Sequence, residues 1–177
     1  MIYQHRVLRV NYTTYDMRRD QDSLNPQSHP DIMLLSHEDE NDDDWHPYWY
    51  ARVIGIFHAN VRHTGPDSNS MQTHRMDFLW VRWFARNEDN GYHAGWKARR
   101  LPRLSFVESD FGLSAFGFID PHLVVCRVHL IPGFGYGGIR DPSESQGQEV
   151  EDNPSDYYFL YYINMWVITL HFFCLYF

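Results

Sequence analysis

Apolar and polar positions alternate along much of this chain, most strongly in two stretches. Residues 48–57 read Tyr-Trp-Tyr-Ala-Arg-Val-Ile-Gly-Ile-Phe, and residues 77–86 read Asp-Phe-Leu-Trp-Val-Arg-Trp-Phe-Ala-Arg. Both are dense in β-branched and aromatic residues, both hold arginine inside the run, and a polar segment broken at Gly65-Pro66 separates them. That composition predicts two long neighbouring strands, the first reaching residue 60, each with a buried and a wet face. A strand is also predicted over 7–15, where Leu8, Val10 and Tyr12 alternate with Arg9, Asn11 and Thr13. Residues 17–30 contain Asn25-Pro26 and His29-Pro30 and predict a loop. A short apolar strand is expected at 31–36.

Beyond the long strands, 87–95 predicts a turn-rich link and 96–107 a strand bent at Pro102. After an apolar run at 116–119, Asp120 at an N-cap and Pro121 at the first helical position predict one helical turn. A strand at 123–131 stops at Pro132, a flexible glycine-rich loop covers 133–156, and a last strand spans 157–167. Short strands with turn signals between them, and no sustained helical period, define an all-β fold. The expectation is a small barrel-like or bent sandwich domain with long loops and at most one or two short helices. It is predicted to occupy residues 1–167 as a single β-rich domain, followed by an apolar C-terminal extension at 168–177.

At 177 residues the chain is long enough for a real core, and 17% of it is aromatic. Cys126 and Cys174 are too few for a disulfide framework or a zinc site, which points to a reduced, intracellular protein. The formal charge of −8 is unevenly placed. Six acids crowd an acidic loop at 37–44, whereas seven bases stand against three acids between Arg75 and Arg103. The first apolar stretch is short and broken by His5, Arg6 and Arg9, so no secretory signal is expected. Residues 157–177 carry no acid or base, long enough to span a bilayer. Their tyrosines, their alternation and the missing basic flank favour a strand, with a membrane tail anchor the minor alternative.

Catalytic signatures are missing. A two-metal nuclease needs acids converging from separate elements, and the dense acids here share one loop. Ser105 and Ser114 lack a glycine elbow. Gly133 to Gly138 lack the lysine of a phosphate-binding loop. The eleven histidines show neither helical pairing nor a cysteine partner, so no metal site and no cofactor are expected. The best candidate surface is the basic aromatic segment, with Trp96 to stack and Lys97, Arg99, Arg100 and Arg103 to meet phosphate. A solvated edge strand is its bland alternative. Tyr48, Tyr50 and Trp80 are a candidate aromatic cage for a methylated ammonium group, with core packing as the competing role.

The chain carries His46-Pro47-Tyr48-Trp49-Tyr50-Ala51-Arg52, Arg75-Met76-Asp77-Phe78-Leu79-Trp80-Val81-Arg82-Trp83-Phe84, Gly95-Trp96-Lys97, Gly117-Phe118-Ile119-Asp120-Pro121 and Val128-His129-Leu130-Ile131-Pro132. Together these motifs resemble a recurrent region of basidiomycete proteins encoded by Plavaka- or KDZ-like DNA transposons. Val10-Asn11-Tyr12-Thr13-Thr14-Tyr15-Asp16 looks like the opening of the same region, and the likeness covers roughly residues 8 to 167. The chain departs from that pattern after Val167, where the family continues with charged residues. A weaker, fold-level likeness joins Ala51 to Ile56 and Val81 to Glu88 to bromo-adjacent homology domains, small chromatin readers. The resemblance implies a non-enzymatic nuclear binding module, with DNA or histone tails as partners. The alternatives are a structural module docking on the catalytic region of a transposase, or a degenerate fragment without function.

Overall fold

The computed structural model describes residues 1–13, 19–36, 46–62, 72–95, 97–108, 115–136, 138–139 and 157–164. The acidic loop at 37–44, Trp96, the extension at 168–177 and most of the loop at 133–156 lie outside them. The fold is all-β, built on a strongly curled half-barrel sheet.

Thirteen strands occur among the described residues. They are β1 (Ile2–His5), β2 (Leu8–Thr13), β3 (Arg19–Leu24), β4 (Asp31–Leu35), β5 (Tyr48–Val61), β6 (His74–Arg86) and β7 (Arg103–Phe106). Then follow β8 (Phe116–Ile119), β9 (Val124–Arg127), β10 (Leu130–Pro132), β11 (Gly138–Ile139), β12 (Tyr157–Tyr158) and β13 (Tyr161–Ile163). The main sheet runs β10-β13-β7-β6-β5-β4-β9, with β1 added to β5 and β8 to β6. The two long apolar runs are its spine, paired antiparallel from Tyr50↔Phe84 to Val61↔His74.

Each spine strand serves two neighbours in succession. On its outer side β5 pairs first with β4, at residues 48 to 52, and then with β1, at 56 to 59. Likewise β6 pairs with β8 at 79 to 82 and with β7 at 84 to 86. Between the two halves of β5 the register slips from Val53↔Val81 to Gly55↔Trp80, leaving Ile54 as the extra residue of a bulge. A bulge bends its strand and increases the local twist, so the curl of the sheet is written into this step.

Because side chains alternate across a strand, the spine feeds two separate cores. One face presents Tyr48, Tyr50 and Phe84 to Met33, Leu104, Phe106, Cys126, Val128, Tyr161 and Ile163. The other presents Ala51, Val53, Ile56, Leu79 and Val81 to Ile32, Leu34, Ile119 and Val124, with Leu24, Leu8 and Val10 of the β2–β3 hairpin packed on them. Over residues 48 to 56 β5 is covered on both faces, which is why that run is nearly continuous in apolar residues.

Several sequence expectations need correction. The predicted loop at 17–30 contains β3, which pairs with β2 from Leu8↔Leu24 to Thr13↔Arg19. Its sequence, Arg-Asp-Gln-Asp-Ser-Leu, has no apolar alternation because ladder hydrogen bonds and links such as Gln21 Nε2 to Asn11 Oδ1, 2.7 Å, sustain the pairing. β1 precedes the predicted start of the first strand. The bent strand expected at 96–107 reduces to β7 after Pro102, preceded by a turn closed by Gly95 and Arg100. The strand at 123–131 is two, β9 and β10, and 157–163 is likewise divided into β12 and β13. Asp120 caps as expected: its Oδ1 accepts the His122 N–H at 2.9 Å over the 3-10 turn Pro121–Leu123.

Candidate functional site

On the face that carries Tyr50 and Phe84, core residues stop at Arg82 and a row of exposed rings begins. Register sets this row. Trp80 stands opposite Phe118, and Arg82 opposite Phe116, across the β6–β8 pairing. Phe78 lies two residues further along β6, opposite Phe57 of β5. Phe57 and Phe78 stack at 5.6 Å, Phe118 meets Phe78 edge-on at 5.7 Å, and Trp80 tilts against Phe116 at 6.0 Å. Phe118 is 70% exposed, Phe116 41% and Trp80 38%. Gly55 makes room for one end of the row, since a Cβ there would run into the Phe57 ring.

Arg82 marks the border between core and row. Its guanidinium lies 4.1 Å from the centroid of Phe106 on the core side and 5.7 Å from that of Phe116 on the exposed side. A cation over ring faces is attracted by their quadrupoles, which fixes both rings without closing the outer surface.

The basic segment divides in two. Lys97, Arg99 and Arg100 are exposed on the turn between Gly95 and Arg100, where Arg99 takes the left-handed conformation with φ of 52°. Arg103 is 8% exposed. Its Nη2 donates to the Asp89 carbonyl at 3.0 Å, its Nε to that of Asn87 at 3.4 Å, and its guanidinium sits 3.6 Å over Tyr92. Arg103 therefore braces the 87–92 segment, and the three exposed cations are what the turn offers a ligand. The turn adjoins the Arg86 end of β6, since Arg86 pairs with Leu104. The ring row occupies the other half of that strand, about 20 Å away at the usual rise per residue.

The cage candidates are dispersed. Tyr48 and Tyr50 are each 5% exposed and belong to the core. Trp80 lies beyond the bulge, in the exposed row. An aromatic box does exist, and Arg52 fills it: the guanidinium is 5.5, 5.2 and 5.0 Å from the ring centroids of Phe84, Phe106 and Tyr161.

A second polar cluster escapes sequence reasoning altogether. His58 stands opposite Tyr3 on β1 and opposite Asp77 on β6, and His5 reaches it diagonally from β1. Among the described residues, His5, His58 and Asp77 bring ligand-type atoms within 4.8 Å of one another. His5 Nε2 and His58 Nδ1 are 2.6 Å apart. Desolvation, Arg75 and His5 together lower the pKa of His58, with Asp77 opposing them. The Arg75 guanidinium, bonded to Asp77 at 2.7 Å, holds that carboxyl below its ordinary range. No spacing rule joins residues 5, 58 and 77; only the docking of β1 does.

Among the described residues no helix is long and apolar enough to cross a membrane. No protein-family model, curated protein or solved structure matches this chain.

Proposed function

We propose that this domain is a non-enzymatic binding module for single-stranded nucleic acid. The observation that carries the reading is the row Phe118, Phe116 and Trp80, laid across two paired strands and open to solvent, with the half-buried Phe78 at its end. Aromatic rings on a rigid sheet stack with bases of any identity, each stacked base contributing about 1–3 kcal/mol. The exposed cations Lys97, Arg99 and Arg100 supply the complementary attraction for phosphate. A strand of the length held by single small barrels, about 4–16 nucleotides, spans the distance from turn to row. Local cationic charge matters here because the chain as a whole is acidic at −8 and offers no diffuse attraction to a polyanion.

Descent from a transposon-encoded protein is part of the same proposal and rests on the motif likeness of residues 8 to 167. Nuclear residence is proposed with it, on the same motif likeness.

The test is fluorescence anisotropy with a labelled single strand of about 12 nucleotides, its duplex form serving as competitor. Single strands should bind more tightly than duplex. Replacing both Phe116 and Phe118 by alanine should weaken binding by roughly one and a half to four orders of magnitude, about 1–3 kcal/mol for each of the two missing stacks. Removing Lys97, Arg99 and Arg100 should reduce the slope of log affinity against log salt by ~0.7 for each phosphate no longer neutralised. No binding at low salt, or binding indifferent to both variants, removes the proposal.

A further inference from the structure

The His5–His58 arrangement has a geometry that ordinary ring packing does not explain. The ring centroids are 4.8 Å apart with planes inclined by 27°. Their facing nitrogens are only 2.6 Å apart. The difference between those separations is roughly the width of a five-membered ring, so the imidazoles lie edge to edge and nearly coplanar. The two inner nitrogens therefore face each other, one donating its N–H to the lone pair of the other. Tyr3 stacks on the face of His58 at 4.6 Å and 11°, which fixes the plane of that ring.

We infer that His5 Nε2, His58 Nδ1 and a carboxylate oxygen of Asp77 form a binding site for a divalent transition-metal cation of the zinc class. Imidazole and carboxylate donors suit such cations, and the absence of thiolate from the set argues for an exchangeable ion. Bonds of about 2.0–2.2 Å to a tetrahedral centre require donor atoms about 3.3 Å apart. The 2.6 Å separation has to open slightly, and the 4.8 Å limit of the cluster has to close. Both are changes that side-chain rotation supplies, because Asp77 is exposed and the histidines are only half-buried. The proton between the two rings moves to the outer nitrogen of its own imidazole, leaving both inner lone pairs to the cation.

Three neighbouring strands each contribute one ligand: β1, β5 and β6. Ligands on paired strands are held better than ligands on loops. Arg75 orients the Asp77 carboxylate through Nε and Nη2, as outer partners of metal ligands do. A bound cation would tie the N-terminal strand to the spine. This inference is independent of nucleic-acid binding, since β5 and β6 side chains alternate and the cluster lies on the face opposite the exposed rings.

The experiment uses the full chain, stripped with chelator and titrated with zinc chloride by calorimetry. Saturation at one equivalent is expected. His5→Ala, His58→Gln and Asp77→Asn should each weaken binding about tenfold or more. In the unaltered protein, imidazole nitrogen resonances followed by NMR should show His5 and His58 shifting first among the eleven histidines. Full zinc affinity in a His5→Ala/His58→Gln double variant, or zinc shifting only other histidines, would overturn the inference. So would the lack of any heat or shift at millimolar zinc.

Discussion

Arg52 and Asp31 face each other across the β4–β5 pairing and are joined by two parallel hydrogen bonds. Arg52 Nε donates to Oδ1 of Asp31 at 2.7 Å and Nη2 donates to Oδ2 at 3.0 Å. Its Nη1 donates to the Tyr161 hydroxyl at 3.3 Å, so one side chain links β4, β5 and β13. Burial pushes the Asp31 carboxyl up. Burial also opposes the Arg52 charge, but the bonds to Asp31 and Tyr161 outweigh it and hold the guanidinium ionised.

Breaking this pair from either side leaves a charge stranded among aromatic rings. Arg52→Met and Asp31→Asn should each cost about 3–5 kcal/mol in urea unfolding. The double variant should lose less than the sum, because neither charge is then stranded. Equal and additive losses would mean the pair is not an energetic unit.

Cys126 lies in the core between Met33 and Val128, and burial pushes its thiol up to about 12. With Cys174 replaced by serine, Cys126 should resist alkylation at pH 8 in the native protein and react rapidly in denaturant. The linkage has a definite sign. An acid whose folded pKa is raised contributes stability that is complete below its unfolded value, about 8.5, and is lost as pH climbs towards 12. Tyr50 is shifted in the same direction by burial. Urea midpoints should therefore fall progressively above about pH 9.

Two glycines in the same sheet should respond differently to alanine. At Gly117 the new Cβ would stand 2.7 Å from Nε1 of Trp83, whose ring packs edge-on against Trp49. Gly117→Ala should destabilise by about 1–2 kcal/mol. At Gly55 the obstacle is the outer end of the Phe57 ring, which can turn away. Gly55→Ala should shift stability by less than about 1 kcal/mol while displacing one member of the exposed row. Matched unfolding curves check both.

Arg99 holds φ of 52°, a conformation unfavourable for a residue with a Cβ. Arg99→Gly should stabilise the fold by up to about 1 kcal/mol while weakening oligonucleotide binding. If stability and binding fell together, the left-handed turn would owe its shape to the Arg99 side chain instead of tolerating it.

The spine was legible because Tyr48 to Ile56 and Leu79 to Phe84 supply buried side chains to both cores, which leaves a dense apolar signature. β3 was not, since Arg19 to Leu24 pairs with β2 through its backbone and delivers Leu24 to the core without an apolar alternation. The role of Arg52 was half legible: an arginine inside an apolar run signals a partner, but nothing local identifies Asp31. Phe116 and Phe118 were legible as strand and not as surface, because exposure depends on what packs over the face they share with Trp80, which local sequence does not reveal. Lys97, Arg99 and Arg100 stood out by charge, whereas the burial of Arg103 follows from carbonyls at 87 and 89 that the spacing does not reveal.

The strand order carries a consequence for biogenesis. β13, residues 161 to 163, lies between β7 and β10 in the finished sheet. During synthesis the exposed edge of β7 has to wait for more than fifty further residues to leave the ribosome before it gains its neighbour. Open strand edges are templates for illegitimate pairing. A nascent chain stalled in that interval is the form of this protein most in need of a chaperone.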